Sequence, residues 1–466
     1  MRIFEVVLCG LSVITVFYSL FNLRKKDNKN YAILLLLIPL YIAHVFFEGI
    51  RWQMLGVYLY SFYLLYRFLF VRNKRLSIGE SGEKKFPAVI FTILVIVSGV
   101  LVMLFQVNTM PEPTGDYKIG TISLDVVDDD REELYGNRVG DVRKFRAQFW
   151  YPSDDVSEGE LTNWLTDGIE VSRQVPKQIG LPGFLLDHTG LIKSNSYEGV
   201  AISVREDKYP ILVLSHGWTG YRYLHSDMAE LLASHGYIVV SIEHTYGSLA
   251  TVFDDGEIAL VDANALPNRE ETDDFLVYAR DLVSTYGYDS GRVLDLIEEL
   301  NNTSLFDGRA DMDLIGALGH STGGGGVVKL ALEDDRVKAV LGFDPWVEPI
   351  GHEELEQGLS IPALFIRSEQ WEVGPNNDYI STVVNNSNIT PLTYQLNGSY
   401  HQDFTMLYMY DPINKLSGFS GELDSQISLD IRLDYILKFF DQNLKGINTN
   451  VENLFSKYEP MVEVKY

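Results

Sequence analysis

The chain has 466 residues, with 64 Asp and Glu against 38 Lys and Arg and a net charge of −26. The charge is divided: residues 1–106 hold 12 basic and 5 acidic side chains (+7), and the remainder carries −33. The acidic part cannot neutralise phosphates, which argues against nucleic acid as a partner. The single cysteine, Cys9, excludes an intrachain disulfide and argues against a thiolate metal site.

Four apolar runs come first: Phe4–Phe21, Tyr31–Ile50, Trp52–Val71 and Pro87–Phe105. Each is near the ~20 residues that a helix needs to cross a bilayer. Tyr31, Trp52 and Tyr66 stand at run ends, where interfacial aromatics belong. The expectation is an all-α membrane domain of four transmembrane helices over 1–106. Arg24, Lys25, Lys26 and Lys29 fill the first loop, and Arg72, Lys74, Arg75, Lys84 and Lys85 the third. The positive-inside rule places both loops in the cytoplasm. It implies a multi-pass protein of the cell membrane whose second domain, 107–466, lies on the non-cytoplasmic side. His44, Glu48 and Arg51 receive no functional role.

Residues 107–466 read as an α/β domain. "KIGTISLDVV" and "KFRAQFWYP" have strand character, and 155–200 follow as a long insertion. The insertion is read either as a lid or cap over a pocket or as an excursion covering a sheet edge. "YPILVLSHG" is an apolar strand, "HSDMAELLASHG" a helix with a glycine stop, and "YIVVSIEH" the next strand. "LATVFDDGEIALVD" reads as a hairpin turned by Asp-Gly. A helical tract spans about Glu270 to Asn301. "DLIGALGHS", "KAVLGFD" and "PALFIRSE" are short apolar strands, and "DIRLDYILKFFDQNL" is a closing amphipathic helix. Alternating strands and helices predict a mostly parallel sheet with helices on both faces. Its chemistry belongs at the carboxyl ends of the strands.

Gly319-His320-Ser321-Thr322-Gly323 follows such a strand and precedes a helical run. In G-x-S-x-G the serine backbone is strained so that Oγ projects from the turn, and the glycines avoid the flanking strand and helix. A nucleophilic serine needs a histidine base, and the base needs an acid to orient it. The fold orders these Ser, acid, His. Of the two later histidines, His401 in "QLNGSYHQDF" lies after the expected last strand and is favoured over His352. Asp344 and Glu369 end successive strands, and position alone leaves the acid open between them. The Thr322 N–H is expected as one oxyanion donor. The loop "LSHGWTG" offers the Trp218 N–H as the second. His216, which precedes the serine, is read as holding that loop.

With these residues assembled, about 117–445 resemble the plasma-type platelet-activating factor acetylhydrolases, lipases and esterases of the α/β-hydrolase fold. The resemblance rests on "YPILVLSHGWTGYR", "LASHGYIVVSIEH", "GHSTGGGG", "LGFDPWVEP", "PALFIRSE" and "GSYHQDF" in order. It implies Asp344, with Trp346 close behind, as the acid. It also implies His401 followed by Gln402 as the histidine segment, and Trp218 as the second oxyanion donor. It implies neither metal nor cofactor, and phospholipid substrates with short or oxidised acyl chains. The apolar runs of 1–106, the missing cysteines, Thr322 and Trp218 depart from the plasma enzyme. The serine motif also resembles cutinase-like polyester hydrolases, whose acid sits one strand later. The expected function is a membrane-anchored serine ester hydrolase whose partner is its lipid or ester substrate; a cutinase-like or general esterase, a serine peptidase of the same fold and a membrane sensor with an inactive hydrolase domain are the alternatives.

Overall fold

The computed structural model describes residues 2–21, 29–66 and 85–466. Its contacts divide the chain into two compact units. One comprises 1–108 with 184–192 and 410–413, and the other comprises 109–183, 193–409 and 414–466.

The first unit contains helices α1 (Ile3–Phe21), α2 (Lys29–Phe47), α3 (Leu55–Tyr66) and α4 (Lys85–Leu104). Among the described residues, no helix is long and apolar enough to cross a membrane. This overturns the expected domain of four transmembrane helices. The multi-pass localisation and the non-cytoplasmic placement derived from it fall as well. The apolar runs are interrupted in ways that composition does not show. The third opens on a 3-10 turn, Trp52–Met54, and α3 begins only at Leu55. The second holds Pro39, which removes a helical hydrogen bond. The first begins in a polar knot. The Glu48 carboxylate accepts the Phe4 and Glu5 amides at 2.9 Å each, capping α1. His44 bridges Glu48 (3.0 Å) and the Tyr58 hydroxyl (2.8 Å), and Arg51 pairs with Glu5 at 2.5 Å. His44, Glu48 and Arg51 thus tie helix ends together. Arg24, Lys25, Lys26, Arg72, Lys74, Arg75 and Lys84, which set the expected orientation, lie outside the described residues. Phe184 packs edge-on to Trp52 at 5.3 Å, and His188 to Phe105 at 5.7 Å. Part of the 155–200 insertion therefore belongs to this helical unit.

The second unit is built on strands β1 (Lys118–Glu132), β2 (Val142–Ser153), β3 (Glu160–Asn163), β4 (Lys193–Glu198), β5 (Tyr209–Ser215) and β6 (Ile238–Glu243). The hairpin β7 (Ala250–Val252) and β8 (Ile258–Leu260) follows, then β9 (Ala310–His320), β10 (Val337–Phe343), β11 (Ala363–Ser368), β12 (Leu392–Leu396) and β13 (Met461–Glu463). Apart from the hairpin they form one sheet in the order β13-β12-β11-β10-β9-β5-β6-β2-β1-β4-β3. The run from β6 to β12 is parallel throughout. The mostly parallel α/β architecture is therefore present. Side chains alternate between two apolar layers, as the strand period of two requires. Ile211, Val213 and Ala317 face one layer with Val283 and Val327. Leu212, Leu214 and Leu318 face the other with Met228 and Phe440. β3 and β4 of the insertion lengthen the sheet beyond β1. The tract expected to be helical from Glu270 starts at Phe275, because the Asn268 side chain accepts the Glu270 amide and turns the chain there.

A buried polar network braces β2, β6 and the helix Phe275–Asn301. Arg143 forms two hydrogen bonds to Asp289 (3.1 and 2.6 Å) and one to Glu133 (2.8 Å). Burial alone would push the Asp289 carboxyl up. The guanidinium groups of Arg143 and Arg131 outweigh it and hold that carboxyl well below its ordinary range. Glu230, on the helix Ser226–Ser234, has no such cation. Burial raises it to about 7, against partial compensation by hydrogen bonds from Asn195 and Ser196. Between pH ~4.5 and 7 the unfolded chain releases this proton while the folded one keeps it, so this group's contribution to stability falls as pH rises. Glu230→Gln removes that dependence. Urea melts at pH 5 and 8 should shift in the variant's favour relative to wild type, by on the order of 3 kcal/mol at most. A difference independent of pH would refute the assignment.

Candidate active site

Five adjacent parallel strands deliver the polar groups of the site at their carboxyl ends. β9 ends at His320, and Ser321 follows with φ 56° and ψ −122° before the helix Thr322–Glu333. This left-handed conformation is costly for a residue with a Cβ and is held by its neighbours. The Ser321 amide donates to the Phe343 carbonyl at 3.0 Å, and the Ser321 carbonyl accepts the Trp346 amide at 2.9 Å. A Cβ on Gly323 would lie 2.3 Å from the Ser215 carbonyl oxygen. Only glycine lets the helix approach β5 that closely.

The loop after β5 meets the serine directly. A Cβ on Gly217 would stand 2.9 Å from the Ser321 Cβ. Trp218 follows, half-buried against an apolar cluster that includes Tyr246 and Tyr286. Among the described residues, no hydrogen bond leaves the Trp218 or Thr322 backbone amide. His216 is fully buried beneath this loop. It hydrogen-bonds the Gly217 carbonyl through Nδ1 (2.7 Å) and accepts the His244 amide at Nε2 (3.3 Å). Burial, reinforced by His244, keeps it far below its ordinary pKa and therefore neutral. His244 in turn spans Ser215 Oγ (2.8 Å) and Asp289 (2.9 Å), so the buried network reaches the loop.

Asp344, just past β10, is fully buried with φ 42°. Its Oδ2 accepts His401 Nδ1 at 2.8 Å. Ser368 donates its amide and its hydroxyl to the same carboxylate, each at 2.7 Å. Asp344 and His401 are therefore together, and Ser368 completes the hydrogen bonds of the Asp344 carboxylate. Glu369 lies elsewhere: its carboxylate accepts the Gly398 amide at 2.5 Å. His352 is exposed and bonds Thr382 at 2.8 Å. Ser321 Oγ and His401 Nε2 form no hydrogen bond with each other. Such bonds are often long in unliganded enzymes and tighten on substrate binding.

Residues that the sequence reading passed over surround His401. The His320 ring lies 4.3 Å from it, and its Nε2 donates to the His401 carbonyl at 3.0 Å. Burial, and after it the proximity of His401, holds His320 well below its ordinary pKa. The Trp371 indole stacks on the His401 ring at 4.6 Å and 4°. Ser368 and Trp371 carry one signal in sequence, their position at a strand's carboxyl end, while His320 is the free position of the motif and carries none. Donor atoms of His320, Asp344 and His401 lie within 4.8 Å of one another, close enough to hold a metal ion. The hydrogen bonds just described already join the three residues without one. A cavity of about 490 Å³ opens beside His401, walled by Trp346, Trp371, Tyr400, Phe419 and the Arg269–Glu348 ion pair. No residue of 155–200 lines it.

The sequence profile of the family described as platelet-activating factor acetylhydrolase, isoform II, matches residues 102–462. The chain belongs to this family. It is an ester hydrolase. The platelet-activating factor acetylhydrolase of Cavia porcellus is 24% identical over 386 residues, covering 78% of this chain and 84% of the relative. That of Gallus gallus is 25% identical, covering 68% and 81%. A probable 1-alkyl-2-acetylglycerophosphocholine esterase of Arthroderma benhamiae is 29% identical over 29% of this chain and 31% of its own length. Among solved structures, a ferulic acid esterase of Streptomyces cinnamoneus superposes with a TM-score of 0.61 at 21% identity, covering 77% of this chain and all of that one. At that identity the likeness speaks for the α/β-hydrolase-like fold. For this family member, Gly217→Ala should lower kcat for p-nitrophenyl acetate roughly a hundredfold while thermal melting moves by a few degrees. Unchanged kcat would mean that the loop does not press on Ser321.

Proposed function

We propose that the chain is a serine carboxylic ester hydrolase that acts on phospholipids or other lipids with short or oxidised acyl chains. The observation that carries this reading is the Asp344–His401 hydrogen bond at 2.8 Å beside a serine held in a strained strand-to-helix turn. Ser321 Oγ attacks the ester carbonyl as His401 Nε2 takes its proton. Asp344 accepts a hydrogen bond from His401 Nδ1–H, which fixes the tautomer and stabilises the imidazolium. The Thr322 and Trp218 amides, without partners among the described residues, stabilise the oxyanion. Losing one such donor typically costs ~10²–10³ in kcat. The alcohol leaves with the proton from His401, and water, deprotonated by the same imidazole, releases the acid from the acyl-serine. The relatives' printed names, an acetylhydrolase and an acetylglycerophosphocholine esterase, support a short acyl group. The aromatic walls of the cavity beside His401 suit an apolar substrate portion, and the Arg269–Glu348 ion pair gives the same cavity a polar side.

Full-length protein and its Ser321→Ala, His401→Ala and Asp344→Asn variants should be assayed on p-nitrophenyl acetate, butyrate and palmitate. The expected result is a preference for the short esters. Roughly 10⁴-fold or greater loss is expected for Ser321→Ala and His401→Ala, with a comparable loss for Asp344→Asn. Near wild-type turnover by Ser321→Ala would reject the mechanism, and preference for palmitate would reject the short-acyl assignment.

A further inference from the structure

The ring torsion of a histidine is soft, so a bond to Asp344 at one nitrogen does not by itself fix where the other points. The His401 loop also leaves β12 as irregular chain, Asn397–Tyr400, before a short 3-10 turn. Something further has to hold both loop and ring. Three consecutive residues after β11 meet that loop. Glu369 accepts the Gly398 amide at 2.5 Å. Gln370 Oε1 accepts the His401 amide at 2.8 Å. Trp371 lays its indole parallel to the imidazole at 4.6 Å. The segment is itself anchored. Asn377 Nδ2 donates to the Trp371 and Glu372 carbonyls (3.3 and 3.0 Å), and Asn377 Oδ1 accepts Arg367 at 3.1 Å. Arg367 is fastened to Gln395 of β12 at 2.7 Å. The indole is therefore carried by a braced segment and not by a free loop tip.

We propose that Trp371 and Gln370 are positioning residues, which hold the His401 ring and its backbone so that Nδ1 stays on Asp344 while Nε2 is presented to the serine. This rests on the reading of Ser321 and His401 given above. Stacked aromatic rings resist rotation out of plane, and the Gln370 bond fixes the peptide from which the ring hangs. It also gives Glu369 a place at the site as a tether of the histidine loop. Because Trp371 lines the cavity too, a role in substrate binding alone is the competing account. The two differ in what they change: positioning sets kcat, and cavity lining sets KM.

The test uses the full-length chain, with kcat and KM for p-nitrophenyl acetate and butyrate and a thermal melt for each variant. Trp371→Leu should lose roughly tenfold in kcat on both esters with KM within about twofold. Trp371→Phe, which restores a flat ring, should recover most of that loss, and Gln370→Ala should lose severalfold in kcat. Should Trp371→Leu not fold, Trp371→Phe combined with Gln370→Ala carries the test. A change in KM at constant kcat, wild-type kinetics in both Trp371→Leu and Gln370→Ala, or a Phe variant no better than Leu would overturn the proposal. If Ser321→Ala and His401→Ala stay active, the underlying mechanism fails. If they are dead while Trp371→Leu is normal, only the positioning role fails.

Discussion

The backbone at Ser321 is the constraint from which the site is built. A serine at φ 56° needs a strand ending immediately before it, a helix starting immediately after it, and neighbours that leave no room to relax. β9 and the helix Thr322–Glu333 supply the first two. The third comes from both sides: β5 and its loop press on Gly323 and through Gly217, and the β10 loop bonds the serine backbone through Phe343 and Trp346. Once that turn is set, the register of five parallel strands orders the rest. Gly217 and Trp218 follow β5, Ser321 follows β9, Asp344 follows β10, Ser368 closes β11 with Trp371 behind it, and His401 follows β12.

Beneath the loops lies a layer of buried charge. Desolvating Asp289, Arg143, Glu133 and His244 is expensive, and the hydrogen bonds among them offset that cost when all are present. The network does not end in the core. Through His244 and Ser215 it reaches His216, which grips the Gly217 carbonyl. The same groups that brace the helix Phe275–Asn301 against the sheet therefore also limit the movement of the loop beside Ser321.

Much of this is visible in the residues before any coordinates, and the exceptions have physical causes. Apolar β5, β6, β9, β10 and β11 are readable because strands buried on both faces must be continuously apolar. The glycine-flanked serine is readable because strain demands those glycines. β4, with the sequence Lys-Ser-Asn-Ser-Tyr-Glu, and the three-residue β13 are not readable, since pairing with a neighbour makes them strands, not composition. Asp344 and Glu369 are alike in one dimension. Their difference appears only when the loops after β10 and β11 are placed, one carboxylate on His401 and the other on Gly398. The apolar helices show the opposite error. Hydropathy left His44, Glu48 and Arg51 at the margins of long spans without a role. The fold gathers them with Glu5 into one knot at helix ends and opens the third run on a 3-10 turn.

The account stands or falls on one nucleophile. Full-length protein should be treated with diethyl p-nitrophenyl phosphate, which phosphorylates activated serines with release of p-nitrophenol, and the adduct located by peptide mass spectrometry. The account expects one diethylphosphoryl group per chain, on Ser321, formed in step with loss of esterase activity and blocked by excess short-acyl ester. An adduct on another residue, or esterase activity that survives full labelling of Ser321, would contradict it.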